Sequence, residues 1–205
     1  WTYWYSADSI VVYGGLGDDF IIGGQSSDEI YGEDGNDYIV GDEGNDNVQG
    51  GDGDDYLNGG EGNDSLYGDA GNDVIRVGNG NDNAFGGEGD DRIGGYITSK
   101  GLNREISWTY FNSDAGKNTL HGGDGNDELI AGPNGDKLYG ENGNDILAGG
   151  NGDDYLEGGD GDDWLIGGDG DDTLVSDNGF DYLSGGDGDD TYVINSRNFG
   201  IYDSG

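Results

Sequence analysis

Over most of the chain an apolar residue returns at every ninth position, set between two residues of no fixed type and preceded by a stretch rich in Gly and Asp. In register the phrase is Gly-Gly-x-Gly-x-Asp-x-apolar-x, with nine consecutive copies from Gly14 to Gly94 and nine more from Ser113 to Val193. The eighth position is Ile21, Ile30, Ile39, Val48, Leu57, Leu66, Ile75, Ala84 and Ile93 in the first block, and in the second it leaves the apolar set only at Tyr192. An apolar residue between two variable ones, as in Tyr56-Leu57-Asn58, predicts a short strand with the middle side chain inward. The Gly-rich stretch before it predicts a tight turn, since Gly permits positive φ and close backbone approach at positions one, two and four. Turn-and-strand units at constant spacing predict a solenoid.

The sixth position adds a fixed carboxylate. It is Asp in 17 of the 18 copies: Asp19, Asp28, Asp37, Asp46, Asp55, Asp64, Asp73, Asp82, Asp91, Asp127, Asp136, Asp145, Asp154, Asp163, Asp172, Asp181 and Asp190, with Asn118 as the exception. Position four is Gly in 16 of 18 copies, with Ser26 and Asn134 as the exceptions. Coils of a solenoid stack about 4.8 Å apart. Carboxylates piled at that spacing repel by about 1–3 kcal/mol per pair. One buried apolar side chain in each repeat falls well short of the backbone entropy the repeat loses on folding. The metal-free chain is therefore expected to be largely unfolded. A divalent cation between stacked turns turns repulsion into attraction, and its binding energy becomes folding energy.

The ligands on offer are carboxylates and peptide carbonyls, all hard oxygens. With no Cys and one His, zinc and copper lack their usual partners. Calcium accepts about six to eight oxygens in loose geometry, whereas magnesium keeps its waters. The aspartates named above are thus the candidate calcium ligands, and no catalytic or organic-cofactor residues are assigned.

Composition alone reads differently. Only 31% of the 205 residues are apolar and the formal net charge is −38, a mixture typical of disordered chains. Periodicity overrides that reading, because the charge sits at fixed register. Such acidity argues against a nucleic-acid partner. No apolar run reaches the length of a membrane span, and no signal peptide is visible. A chain that begins at Trp1 and contains no Met is expected to be a piece of a longer protein. There is no His-Glu-x-x-His, no Gly-x-Ser-x-Gly and no His-based dyad, so no enzyme is expected. A paired-carboxylate glycosidase stays open on composition, although most carboxylates are already assigned to metal.

The phrase Gly50-Gly51-Asp52-Gly53-Asp54-Asp55-Tyr56-Leu57-Asn58 resembles the haemolysin-type, or RTX, calcium-binding nonapeptide, and the repeats cover 162 of the 205 residues. The resemblance implies an all-β, parallel β-roll solenoid, with two nonapeptides per 18-residue coil and two parallel sheets. The resemblance places calcium ions between stacked turns, held by the position-six Asp and turn carbonyls. It also implies a module of a larger secreted bacterial protein (toxin, enzyme or adhesin) exported by type I secretion and folding on extracellular calcium. The alternative is a glycan-, protein- or ice-binding module of a calcium-dependent adhesin. Counting gaps block by block gives about 14 ions. These would bring the net charge from −38 to about −10, so the acidity needs no basic partner. The chain is expected to be monomeric.

Several positions depart from the pattern. Residues 95–112 make up 18 residues, one coil's length. They are expected to form a non-consensus coil or insert in one continuous 1–205 roll, with Leu102 and Phe111 inward and Lys100 and Thr109 in the place of Asp. The segment 1–13 is expected to be an aromatic cap, 14–94 and 113–193 the two repeat blocks, and 194–205 a cap or linker. Trp1-Thr2-Tyr3-Trp4 is echoed by Trp108-Thr109-Tyr110-Phe111, which suggests a duplicated unit. Arg76, Arg92, Lys100, Arg104 and Lys117, five of the seven basic residues, lie between residues 76 and 117, either to neutralise carboxylates where calcium cannot or to reach a partner. At position seven, alternate copies give Phe20, Tyr38, Tyr56 and Val74 on one face and Glu29, Asn47, Ser65 and Asn83 on the other. The apolar face is either a contact strip or a cross-strand ladder. His121 falls on an outward position. The copy containing Pro133 and Asn134 is expected to hold calcium weakly or not at all.

Overall fold

The computed structural model describes residues 7–94, 116–195 and 198–201. Ten strands belong to the first block: β1 (Val11–Leu16), β2 (Phe20–Gly24), β3 (Glu29–Asp34), β4 (Tyr38–Glu43), β5 (Asn47–Asp52), β6 (Tyr56–Glu61), β7 (Ser65–Ala70), β8 (Val74–Asn79), β9 (Asn83–Glu88) and β10 (Arg92–Gly94). Ten follow: β11 (Thr119–Asp124), β12 (Glu128–Ile130), β13 (Lys137–Asn142), β14 (Ile146–Asn151), β15 (Tyr155–Asp160), β16 (Trp164–Asp169), β17 (Thr173–Ser176), β18 (Phe180–Asp187), β19 (Thr191–Ile194) and β20 (Asn198–Ile201). Odd strands form one ten-stranded parallel sheet and even strands a second. Each strand pairs with the one two steps on, as Tyr38 pairs with Tyr56 and Ile39 with Leu57. Two nonapeptides therefore make one coil, and the chain is a parallel β-roll. Among the described residues no helix is long and apolar enough to cross a membrane.

Strands run longer than the three residues around position eight, continuing through positions one to three of the next copy, as in Glu29–Asp34. The position-eight side chains from Ile21 to Leu183 face inward and are buried, filling the space between the sheets. Position one faces the same core. Ala84, the small position-eight residue, shares its copy with Val77 at position one, and both belong to the core cluster. Position four needs glycine for a local reason. Gly35 has φ of 135°, and a Cβ there would collide with the backbone of Gly17 one coil away.

At the junction the two blocks meet directly. β10 pairs directly with β12, and β9 with β11, so Ile93 meets Leu129 and Ala84 meets Leu120. The step is 36 residues instead of 18, and no coil is interposed between the two blocks. Leu102 and Phe111, the aromatic segments 1–4 and 108–111, and the last residues 202–205 lie outside the described residues. The C-terminal departure from the repeat still supplies strand pairing, with Asp181 opposite Phe199 in β18 and β20.

Candidate metal centre

The turns stack into two files. One carries Asp19, Asp37, Asp55, Asp73, Asp91, Asp127, Asp145, Asp163 and Asp181, the other Asp28, Asp46, Asp64, Asp82, Asn118, Asp136, Asp154, Asp172 and Asp190. All the position-six residues named from sequence are therefore brought together, in two lines. The side chains work alike. The N–H of Asp37 donates to Oδ1 of Asp55 at 2.7 Å, and that of Asp55 donates to Oδ1 of Asp73 at 2.8 Å. The files cross the junction unbroken, with Asp91 N–H donating to Asp127 Oδ1 at 2.7 Å and Asp82 N–H to Asn118 Oδ1 at 2.9 Å.

The second oxygen has a different fate. Oδ2 of Asp37, Asp55, Asp73, Asp91, Asp127, Asp145 and Asp163 in the first file is buried and accepts no hydrogen bond. The same holds for Oδ2 of Asp28, Asp46, Asp64, Asp82, Asp154, Asp172 and Asp190 in the second. A buried carboxylate oxygen without a partner is costly, and a regular succession of them calls for a counter-charge. Burial drives the carboxyl groups upward in pKa, to about 7 for Asp46, Asp55, Asp91 and Asp145 and to about 8 for Asp154. Asp64, Asp73, Asp127, Asp163 and Asp172 rise to about 6 by the same desolvation. The backbone N–H on Oδ1 pulls the other way without overcoming burial.

These residues fit a hard cation. A Cβ on Gly32 would run into both Asp37 Oδ2 and the carbonyl oxygen of Gly50, so oxygens from two successive coils converge on one small space. The pattern repeats at Gly68 with Asp73 and Gly86, and at Gly86 with Asp91 and Gly122. Turn hydrogen bonds run mainly to carbonyls of positions three and six, such as Asp52 and Asp19, and leave those of positions four and five out. Among the described residues no three His, Cys, Asp or Glu side chains gather at a point. Backbone oxygens would therefore have to complete any coordination shell, a donor set that suits calcium.

Two positions break the rule. Asp136 Oδ2 accepts the N–H of Gly132 at 3.2 Å, in the copy with Pro133 and Asn134. Asp181 Oδ2 accepts the hydroxyl of Ser176 at 2.5 Å. Ser176 escaped the sequence reading, although a serine at position one in place of Gly was the available signal. Direct stacking of the blocks also adds two gaps, Asp91 to Asp127 and Asp82 to Asn118, that counting each block separately leaves out.

Outside the turns, rings stack along the strands. Phe20, Tyr38 and Tyr56 lie in register on one sheet with centroids 5.1 and 4.5 Å apart, and Arg76 lies 5.8 Å from the Tyr56 ring centroid. On the other sheet Tyr67, Phe85, His121 and Tyr139 form a file at 5.1, 4.7 and 4.7 Å. His121 points outward as expected, yet it is wedged between two rings and its Nδ1 lies 2.9 Å from Glu141. Arg92 pairs with Glu128 across the junction at 3.1 Å.

A parallel roll whose turns present buried carboxylates in register is a metal-binding β-solenoid. The family model of the RTX calcium-binding nonapeptide repeat (4 copies) matches residues 13–48, 40–75, 49–84, 67–96, 112–147, 139–174, 148–183 and 166–193. The chain belongs to that family and is a calcium-binding module. No curated protein matches it.

Proposed function

We propose that the position-six aspartates hold calcium between successive coils, and that this uptake folds an extracellular module of a secreted bacterial protein. The supporting observation is the succession of buried Oδ2 atoms without a hydrogen-bond donor, repeated coil after coil. Asp55, for example, fixes the turn of the coil before it through Oδ1 and directs Oδ2 toward the Gly68 carbonyl oxygen of the coil after it. A bound calcium supplies the positive charge that lets these oxygens stay ionised side by side. Without it the columns repel and the core alone cannot offset chain entropy. The chain thus stays unfolded during export from a calcium-poor cytoplasm and folds outside. Its role is non-catalytic, supporting secretion and stabilising the parent.

Circular dichroism in chelator and in millimolar calcium tests this reading. Strand signal is expected only with calcium, with a cooperative midpoint near 10⁻⁴–10⁻³ M, about the range of extracellular calcium modules. A strand spectrum that persists in chelator at neutral pH overturns it.

A further inference from the structure

The two files are not equivalent. In the first, uncompensated Oδ2 atoms run without interruption from Asp37 to Asp163. In the second, buried Oδ2 atoms that accept no hydrogen bond occur at Asp28, Asp46, Asp64 and Asp82 and again at Asp154, Asp172 and Asp190. Between these two groups lie Asn118, which has no carboxylate, and Asp136, whose Oδ2 is already occupied by Gly132 N–H. The turns remain stacked here, because Asn118 N–H donates to Asp136 Oδ1 at 2.6 Å and Asp136 N–H to Asp154 Oδ1 at 2.7 Å.

Position five changes at the same place. Elsewhere in this file Asn45 and Asn63 each accept the N–H of the next coil's position-five residue, at 2.7 Å for Asn63 and 2.8 Å for Asn81. Asn81 likewise accepts Lys117 N–H at 2.8 Å. Lys117 can accept nothing in turn, and the next residue in the file is Gly135. Lys117 Nζ reaches across that turn: a Cβ on Gly135 would lie 3.4 Å from it and 2.5 Å from the Asp153 carbonyl oxygen. An ammonium group thus stands where the acidic file has lost a carboxylate and has filled the valence of the next.

We propose that this gap, between the turns of Asn118 and Asp136, is a calcium-free seam closed by the chain's own groups. Lys117 supplies the positive charge, Asn118 keeps the Oδ1 acceptor while removing the carboxylate charge, and Gly132 N–H satisfies Asp136. The inference rests on the calcium reading of the files. The seam stands where the chain rejoins the stack, at the start of the second block, so the coil that must re-enter the roll docks without waiting for metal. One file is then metallated throughout and the other is divided.

The experiment counts ions on the loaded chain by native mass spectrometry, for the wild type and for a Lys117→Asn/Asn118→Asp variant that restores the repeat. One additional calcium per chain is expected in the variant. An equal count with both proteins folded by circular dichroism overturns the seam while leaving the calcium reading intact. No uptake by either protein overturns both. If the double variant fails to fold, Lys117→Gln replaces it: an unchanged ion count with a lower melting temperature supports the seam, and an unchanged melting temperature or one more ion overturns it.

Discussion

At the scale of the residue, position six does two jobs with two oxygens. Oδ1 is a structural acceptor for the coil before, which an amide could serve equally well, as Asn118 does for Asp82. Oδ2 has meaning only if a cation is present. Asp64→Asn should therefore keep the turn and lose the ion. The loaded protein is expected to lose about 3–5 kcal/mol, the scale of removing one partner from a buried ionic contact, and its calcium midpoint should rise in a titration followed by circular dichroism. Asp54→Asn is the control. Asp54 Oδ1 accepts bonds from Asn72 at the exposed position five, and the amide oxygen preserves them, so the midpoint should move by less than about 0.5 kcal/mol in equivalent stability. Ser176→Ala strips the donor from Asp181 Oδ2. Thermal unfolding of the loaded protein should show a loss of about 1–3 kcal/mol, the cost of a buried polar atom left unmade.

At the scale of the strand, the outward aromatics are ladders. Tyr38 stacks on Phe20 and on Tyr56, so both ring faces are engaged and neither is open to a sugar. Each aromatic pair contributes about 0.5–1.5 kcal/mol beyond burial. Tyr38→Ala should thus lower stability by about 1–3 kcal/mol, read as a melting shift of the calcium-loaded protein. Residue spacing gave the members of this ladder, because position and copy number fix sheet and row. The same spacing left coil or insert open at the junction. An 18-residue gap looks like one coil, and the decision to skip it depends on whether consensus strands gain more by pairing with each other, which periodicity does not encode. The neighbours of His121 were hidden for that reason: its outward position was legible, but Phe85 becomes adjacent only once β9 meets β11. Val77 beside Ala84 in one copy is a compensation visible in the sequence only when position one is known to face the core. Lys117 was legible as a cation among carboxylates, whereas its reach to Gly135 needed the stacked turns.

At the scale of the molecule, the pH response separates proton from calcium. Position-six groups such as Asp55, at about 7, and Asp154, at about 8, sit above their ordinary value of 3.8 in the metal-free roll, because burial penalises the charged form. A carboxyl whose folded pKa is raised favours folding when protonated. That contribution is fully present below the unfolded value and is lost as pH climbs through the folded one. In chelator, strand content should therefore be greater near about pH 4 than near about pH 7.5. Calcium needs the ionised groups, so it competes with the same protons, and its midpoint concentration should fall as pH rises from about 5.5 to about 8. Circular dichroism along both series checks the pair of trends. Opposite slopes mean that protons and calcium neutralise one set of buried oxygens by different routes. A chelated chain with more strand at neutral pH than in acid would mean that burial of these carboxyls does not govern the fold.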